Sequence, residues 1–143
     1  MSRNIQFHVG LKALLRKGEE FLFLRVPESD RWDLPGGRIE EGEQELSLEK
    51  IVARELEEEL GAEIDYQIGK VAFVFRRHFP EKNLNVFLAV YEVEYMGGTI
   101  QLSSEHAGWE WINPNGKIWT VAEVCGEEER VAYESYFKKY NSH

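Results

Sequence analysis

Apolar and polar stretches alternate in short blocks along the first third of the chain. Residues 7–15 and 21–26 are mostly apolar, and the polar stretch 16–20 between them predicts a turn. Two strands joined in a hairpin are the simplest interpretation. Residues 27–32 include Pro, Ser and Asp, which indicates a loop that returns the chain to Leu34.

The clearest helical pattern covers residues 48–60. Ser47 can act as the N-cap, and Gly61 is placed to take a left-handed conformation after the last turn. Apolar residues recur at every fourth position, which predicts a buried face along this helix. These residues are Leu48, Val52, Leu56 and Leu60.

The second half of the chain has the pattern of several strands followed by a helix. The predicted pieces are strands at 63–79 and 84–95, turns at 80–83 and 96–98, an extended piece at 99–102 and a strand around 109–112. Apolar spacing over 121–140 predicts a closing helix whose beginning Gly126 interrupts. We therefore expect a mixed sheet covered by helices on both faces.

Composition narrows the class of protein. With 143 residues, 43% of them hydrophobic, the chain is expected to form one domain, 1–143. A single cysteine, Cys125, allows no internal disulfide and favours a reducing compartment. Without an apolar run of the ~20 residues that span a membrane, or a signal-type start, a soluble cytoplasmic protein is expected. The net charge of −9 argues against binding duplex nucleic acid.

Three carboxylates are crowded near the end of the predicted helix. Glu55, Glu58 and Glu59 are spaced i, i+3, i+4, and each like-charged pair costs roughly 0.2–0.5 kcal/mol. A hard divalent cation would turn this repulsion into a binding site. The alternative is a solvated acidic face on which Arg54 pairs with Glu58. The turn at 35–37 favours the metal site, because a bare glycine carbonyl there could be a further oxygen ligand.

Gly37, Glu43 and the stretch Arg54-Glu55-Leu56-Glu57-Glu58-Glu59-Leu60-Gly61-Ala62 resemble the Nudix box. One departure is clear, because ten residues separate Glu43 from Arg54 where the family usually has seven. If Ser47 matches the small polar residue that normally follows the first glutamate, residues 44–46 are an insertion. We predict that they form a bulge or extra turn before the Ser47 cap, which leaves the helix register intact.

The resemblance implies a fold, a cofactor and roles for several residues. The fold would be a Nudix-type α/β/α sandwich with a mixed sheet, and the cofactor Mg²⁺, with Mn²⁺ as the alternative. The implied metal ligands are the Gly36 carbonyl, Glu55, Glu58, Glu59 and, from a loop, Glu105. Glu58 or Glu105 would take the proton from the attacking water, Arg54 would orient the carboxylates, and Glu43 would support them. For Glu105, plain loop exposure is the alternative.

Three arginines are candidates for contacting substrate phosphate: Arg25, Arg38 and Arg76. For Arg25, an ordinary arginine at a strand end is an equal alternative. Arg76 and Arg77 point to opposite faces if both are in a strand, so at most one can face the site, and we favour Arg76.

The expected activity is metal-dependent hydrolysis of a diphosphate bond in a nucleoside diphosphate linked to another moiety. The substrate would be a nucleoside triphosphate or a small nucleotide conjugate, with no membrane partner, and the protein a monomer or homodimer. A catalytically silent Nudix-like nucleotide-binding or regulatory domain is the main alternative, and an unrelated structural domain is the third. The presence of Arg54, Glu55 and both later glutamates favours the enzyme.

Overall fold

The computed structural model describes the backbone of residues 3–141 and the side chains of residues 3–139. Within that part of the chain, seven strands form one sheet and two α-helices pack against it. The strands are β1 His8–Lys17, β2 Glu20–Arg25, β3 Trp32–Asp33, β4 Gly36–Arg38, β5 Ile64–Phe79, β6 Leu84–Gly98 and β7 Gly108–Ile112. The helices are α1 Leu48–Leu60 and α2 Glu127–Asn141.

The strand order along the sheet is β3-β2-β1-β6-β5, with β4 also pairing with β1 and β7 with β2. β1 runs parallel to β6, while the other pairings are antiparallel, so the sheet is mixed. β1 lies at the centre and residues 11–15 are all buried, because both faces of this strand are covered.

Two apolar cores lie on opposite faces of the sheet. Alternation along β2 sends Leu22 and Leu24 to the face covered by α1, and Phe21 and Phe23 to the face covered by α2. Aromatic side chains dominate the second core, where Phe23 lies 6.0 Å from Tyr133 of α2 between ring centroids. The expected α/β/α sandwich with a mixed sheet is confirmed.

The predicted cap and register of α1 are confirmed, with one exception. The Ser47 hydroxyl accepts a hydrogen bond from the Lys50 amide at 3.2 Å, and the helix begins at the next residue, Leu48. Leu48 was expected in the buried stripe, but 47% of it is exposed. It lies in the first turn, where helical side chains lean back beyond the packed face. The buried residues of α1 are Ile51, Val52, Glu55, Leu56, Glu59 and Leu60.

The extra residues 44–46 lie before α1, as predicted. The Glu43 amide donates to the Glu40 carbonyl at 3.0 Å, and the Leu46 amide donates to the Glu43 carbonyl at 3.0 Å, which makes two consecutive turns. The helix beyond them is unbroken from Leu48 onward. The insertion is therefore absorbed by the loop.

Two predicted boundaries in the second half were wrong. Residues 96–98 are not a turn, because β6 continues to Gly98, which pairs with Ile64. Gly98 has a φ of +102°, and an added Cβ would lie 2.1 Å from the Glu63 carbonyl, so only glycine fits this pairing. α2 begins at Glu127, not at 121, because Gly126 has a φ of +107° and ends the preceding loop. None of the helices within residues 3–141 is long and apolar enough to cross a membrane.

Candidate active site

A cleft of about 680 Å³ lies where β4 passes the C-terminal half of α1. The loop at 103–105 forms part of its opposite wall. The cleft is lined by His8, Gly36, Gly37, Arg38, Ile39, Glu40, Glu41, Glu55, Glu58, Glu59, Ser103, Ser104 and Glu105. It thus brings together the three helix carboxylates, the paired glycines and Glu105, all of which sequence reasoning had singled out.

The two glycines of β4 allow the backbone to approach the helix carboxylates. An added Cβ on Gly37 would lie 2.6 Å from Glu55 Oε1, and one on Gly36 would lie 2.2 Å from the Leu11 carbonyl. Neither position has room for a side chain. The Gly36 amide donates to Glu59 Oε2 at 3.3 Å. Glu55 and Glu59 are therefore held against main chain, not in open water.

Burial changes the proton affinity of these two carboxylates. Each is only 6% exposed. Desolvation raises the pKa of Glu59 to about 8, although the nearby Lys12 ammonium acts in the opposite direction. Desolvation also raises the pKa of Glu55, and the Arg54 guanidinium opposes it. The nearby positive charge does not fully balance these two buried carboxylates. Together with the backbone of the β4 glycines, they form a set of hard oxygen donors that fits a divalent cation.

Glu58 has a different environment, because it lies at the rim of the cleft. Its side chain is 57% exposed and accepts a hydrogen bond from Arg54 Nη1 at 3.0 Å. Among residues 3–141, no three His, Cys, Asp or Glu side chains are grouped closely enough to hold a metal ion. Glu58 is engaged by Arg54, so the three helix carboxylates share one cleft without converging on one point.

Arg54 connects the carboxylates of α1 to the preceding loop. Its guanidinium lies 2.8 Å from Glu43 Oε1 through Nη2 and 2.9 Å from Glu55 Oε1. The Glu40 amide and then Arg54 lower the pKa of Glu43. Glu43 therefore reaches Arg54 in spite of the three extra residues, and the geometry suits the predicted roles of both.

The loop after β6 presents neighbouring residues to opposite sides. Glu105 is exposed and lines the cleft, which fits the predicted position. His106 is turned inward, with a side chain only 10% exposed and Nδ1 lying 4.0 Å from Glu59 Oε2. Neither His106 Nδ1 nor Ser103 Oγ has a hydrogen-bond partner, and both atoms are buried. Sequence reasoning missed these two residues, and their only signal was their place beside Glu105.

Comparison with known proteins agrees with this geometry. The sequence profile of the NUDIX domain family matches residues 6–118, which include the cleft, α1 and the loop with Glu105. The chain belongs to this family. The match covers most of the chain and excludes the interpretation as an unrelated structural domain.

Two individual Nudix relatives extend this result. A Bacillus subtilis (strain 168) protein, provisionally named an 8-oxo-dGTP diphosphatase, is 30% identical over 104 residues, or 71% of this chain and 62% of the relative. The chain thus spans less than two thirds of that protein. The crystal structure of a MutT protein from Methanosarcina mazei Go1 has a TM-score of 0.77 and 27% identity, covering 99% of this chain and 100% of that one.

A third comparison supports the fold alone. The solution structure of the E. coli ORF135 protein has a TM-score of 0.73 at 21% identity, covering 97% of this chain and 94% of that one. The overall fold is thus shared with this solved structure.

The three candidate arginines lie in different places in this Nudix fold. Arg38 is exposed and lines the cleft. Arg25 lies with its guanidinium carbon 4.1 Å from the centroid of the Trp32 ring and does not line the cleft. The preference for Arg76 needs correction, because its exposed guanidinium bonds Glu128 of α2 at 2.8 Å and also lies away from the cleft. Its neighbour Arg77 is the one that points into the protein, where it pairs with Asp33 and Glu129.

A buried network of charges extends from the β4 side of the sheet to α2. Lys12 Nζ lies 3.2 Å from Asp33 Oδ2 and donates to the Leu34 carbonyl, while Arg77 bonds Asp33 at 3.0 Å and Glu129 at 2.8 Å. Burial alone would raise the pKa of Asp33, but Lys12 and Arg77 hold it well below its usual range. The sequence signal for this network was a lysine in the middle of an otherwise apolar strand.

Proposed function

We propose that this Nudix protein is a divalent-metal-dependent hydrolase. It would cleave a diphosphate bond in a nucleoside diphosphate linked to another moiety. The observation that carries the proposal is the placement of Glu55 and Glu59, two buried carboxylates pressed against the glycines of β4 in an open cleft. A structural role does not account for them, because Glu55 shares the Arg54 guanidinium with Glu43 and Glu58, and burial still raises the pKa of both Glu55 and Glu59.

The residues that would hold the cation are Glu55, Glu58, Glu59 and the carbonyl of Gly36. These are hard oxygen donors, the type that Mg²⁺ and Mn²⁺ prefer. When bound, the cation would neutralise the diphosphate charge and lower the pKa of a water molecule. Glu58 must first leave Arg54 Nη1, which it contacts at 3.0 Å, and its exposure gives it the freedom to do so.

The remaining roles belong to the protein's own side chains. Arg54, anchored by Glu43, would hold Glu55 in place. Arg38 is the cationic side chain at the cleft and would bind a phosphate oxygen. Glu58 and Glu105 are both exposed at the cleft, so either can reach a water molecule and take its proton. Attack of this water on phosphorus would release a nucleotide and a phosphorylated product.

The names of the relatives suggest a substrate class. One relative is provisionally named for 8-oxo-dGTP, and another is a MutT protein. We therefore propose a small nucleotide, either a nucleoside triphosphate or a compact conjugate. We also propose that residues 1–143 form a single domain and that the protein is cytoplasmic and either a monomer or a homodimer. The rival function is a silent Nudix domain that binds nucleotides without hydrolysing them.

A panel of nucleoside triphosphates, including oxidised ones, and nucleotide conjugates tests the proposal. Product release should require Mg²⁺ or Mn²⁺ and should stop with excess chelator. Glu55→Gln should abolish turnover, whereas Glu57→Gln, an exposed glutamate on the same helix, should not. Nucleotide binding without product from any substrate would favour the silent alternative, and turnover undiminished by chelator would refute the metal site.

A further inference from the structure

His106 carries a buried polar atom that the fold leaves without a partner. Its side chain is only 10% exposed, and Nδ1 has no hydrogen bond. Buried polar atoms in folded proteins almost always have a partner, so an exception calls for an explanation. Within the described part of the chain, Glu59 is the acidic residue within ion-pair reach of this nitrogen, and its Oε2 lies 4.0 Å away. This distance is too long for a hydrogen bond.

The position of His106 is set by the backbone on both sides of it. The Gln101 and Ser103 amides donate to the Leu60 and Glu59 carbonyls at 2.8 and 3.0 Å, which fastens the loop to the end of α1. After the histidine, the Ala107 amide donates to the Arg25 carbonyl at 3.0 Å. The imidazole is thus held beside Glu59 by main-chain contacts of its own loop.

The Glu59 carboxylate is held by a long hydrogen bond. Its Oε2 accepts from the Gly36 amide at 3.3 Å, which is longer than a typical bond of this kind. The terminal torsion of a glutamate is soft, so the carboxylate can turn by a small angle at little energetic cost. A shift of about 1 Å would bring one oxygen within the 2.7–3.2 Å of a hydrogen bond from the imidazole.

We propose that His106 is a positioning residue for Glu59. When the Glu59 carboxylate holds a divalent cation, His106 donates a hydrogen bond through Nδ1–H to the carboxylate oxygen that faces it. The imidazole thereby fixes the orientation of the ligand. Carboxylates that bind metals are commonly held in this way by hydrogen bonds from behind. The inference rests on the proposed function only in taking Glu59 as a cation ligand.

The side chain that replaces His106 provides the sharpest test. His106→Asn keeps an N–H close to the position of Nδ1, His106→Gln moves it toward the position of Nε2, and His106→Leu removes it. Removal of such a supporting contact typically lowers metal affinity 10–100-fold. We expect this loss of Mn²⁺ affinity for the leucine and glutamine variants, and an affinity near wild type for the asparagine variant. His78→Leu is the matched control, because His78 is exposed and bonds Asn85.

Mn²⁺ binding is measured by titration calorimetry without substrate, so the result does not depend on turnover. Thermal unfolding in chelator shows whether each variant still folds. Wild-type Mn²⁺ affinity in His106→Leu overturns the inference. An equal loss of Mn²⁺ affinity in the asparagine and leucine variants also overturns it, as does a wild-type protein that binds no Mn²⁺. If Mn²⁺ affinity changes among the variants as expected but no nucleotide is hydrolysed, the inference stands and the proposed activity fails. If hydrolysis needs metal but His106→Leu binds Mn²⁺ with wild-type affinity, the proposed activity stands and the inference fails.

Discussion

Glu59→Gln should stabilise the metal-free protein at neutral pH, even though it removes a proposed ligand. Glu59 is 6% exposed, and burial raises its pKa from 4.5 to about 8. The folded chain therefore binds this proton more tightly than the unfolded chain does. The stability that the protonated carboxyl allows is fully present below pH 4.5 and is lost as the pH rises toward 8. Glutamine keeps the shape of the side chain without the charge.

The size of the effect follows from these two values. Each pH unit between them changes the free energy of unfolding by about 1.4 kcal/mol. At pH 7 the charged Glu59 therefore lowers the free energy of unfolding of the wild type by about 3 kcal/mol compared with acidic solution. For a chain of this size, this corresponds to a shift in Tm of roughly 6–12 °C. Near pH 4.5 the variant and the wild type should differ little.

Urea unfolding in the presence of chelator, measured from pH 5 to pH 8, tests this reasoning. The difference in free energy of unfolding between Glu59→Gln and wild type should grow with pH. Glu57→Gln, on the exposed side of the same helix, should show no such trend. Two results would refute the proposed desolvation of Glu59. One is a difference between variant and wild type that stays constant from pH 5 to pH 8, and the other is a stability advantage of the variant that is smaller at pH 7 than at pH 5.

Three further outcomes are expected. Arg77→Met should lower stability by about 3–5 kcal/mol in chemical unfolding, because Glu129 stays buried without its cationic partner and Asp33 keeps only Lys12. Arg76→Met, at an exposed pair, should cost at most about 1 kcal/mol. If Glu105 rather than Glu58 takes the proton, Glu105→Gln should lower kcat by the 10²–10⁴-fold typical of general-base loss, and a change under about threefold in steady-state kinetics would return Glu105 to a plain loop role. Deletion of residues 44–46 should leave Mn²⁺ affinity within about threefold of wild type, a smaller loss than the 10–100-fold of a lost supporting contact.

Local patterns predicted the elements better than they predicted the site. The Ser47 cap, the hairpin of β1 and β2 and the strands β5 and β6 follow from turn residues and apolar periodicity, which act over a few positions. Leu48 matched the same periodicity and is nevertheless exposed, because the end of a helix lies beyond its packing partner. Gly98 looked like part of a turn, since positive φ at a glycine is common both in turns and at irregular sheet ends.

The sequence held a signal for the orientation of Arg76 and Arg77 that the prediction for these strands did not use. Phe73 and Phe75 pack toward α2, and Arg77 continues their alternation along β5 to the same side. Irregular pairing between β5 and β6 near Ile68 and Val71 breaks this alternation upstream. The alternation therefore holds only from Phe73 onward, and the rule that Arg76 and Arg77 face opposite sides did not by itself say which side is which. His106 had no pattern at all, because its inward orientation depends on contacts between distant parts of the chain.

The short loop before α1 has a consequence for how such sites are recognised from sequence. Glu43 meets Arg54 through space at 2.8 Å, and the residues between them form turns of their own. The contact is therefore set by where the two ends of the loop lie, while the number of residues in it can vary. A search pattern that fixes seven residues between this glutamate and arginine would reject the present chain although its ionic contact is intact. A pattern that allows variable length at this one point would retain it.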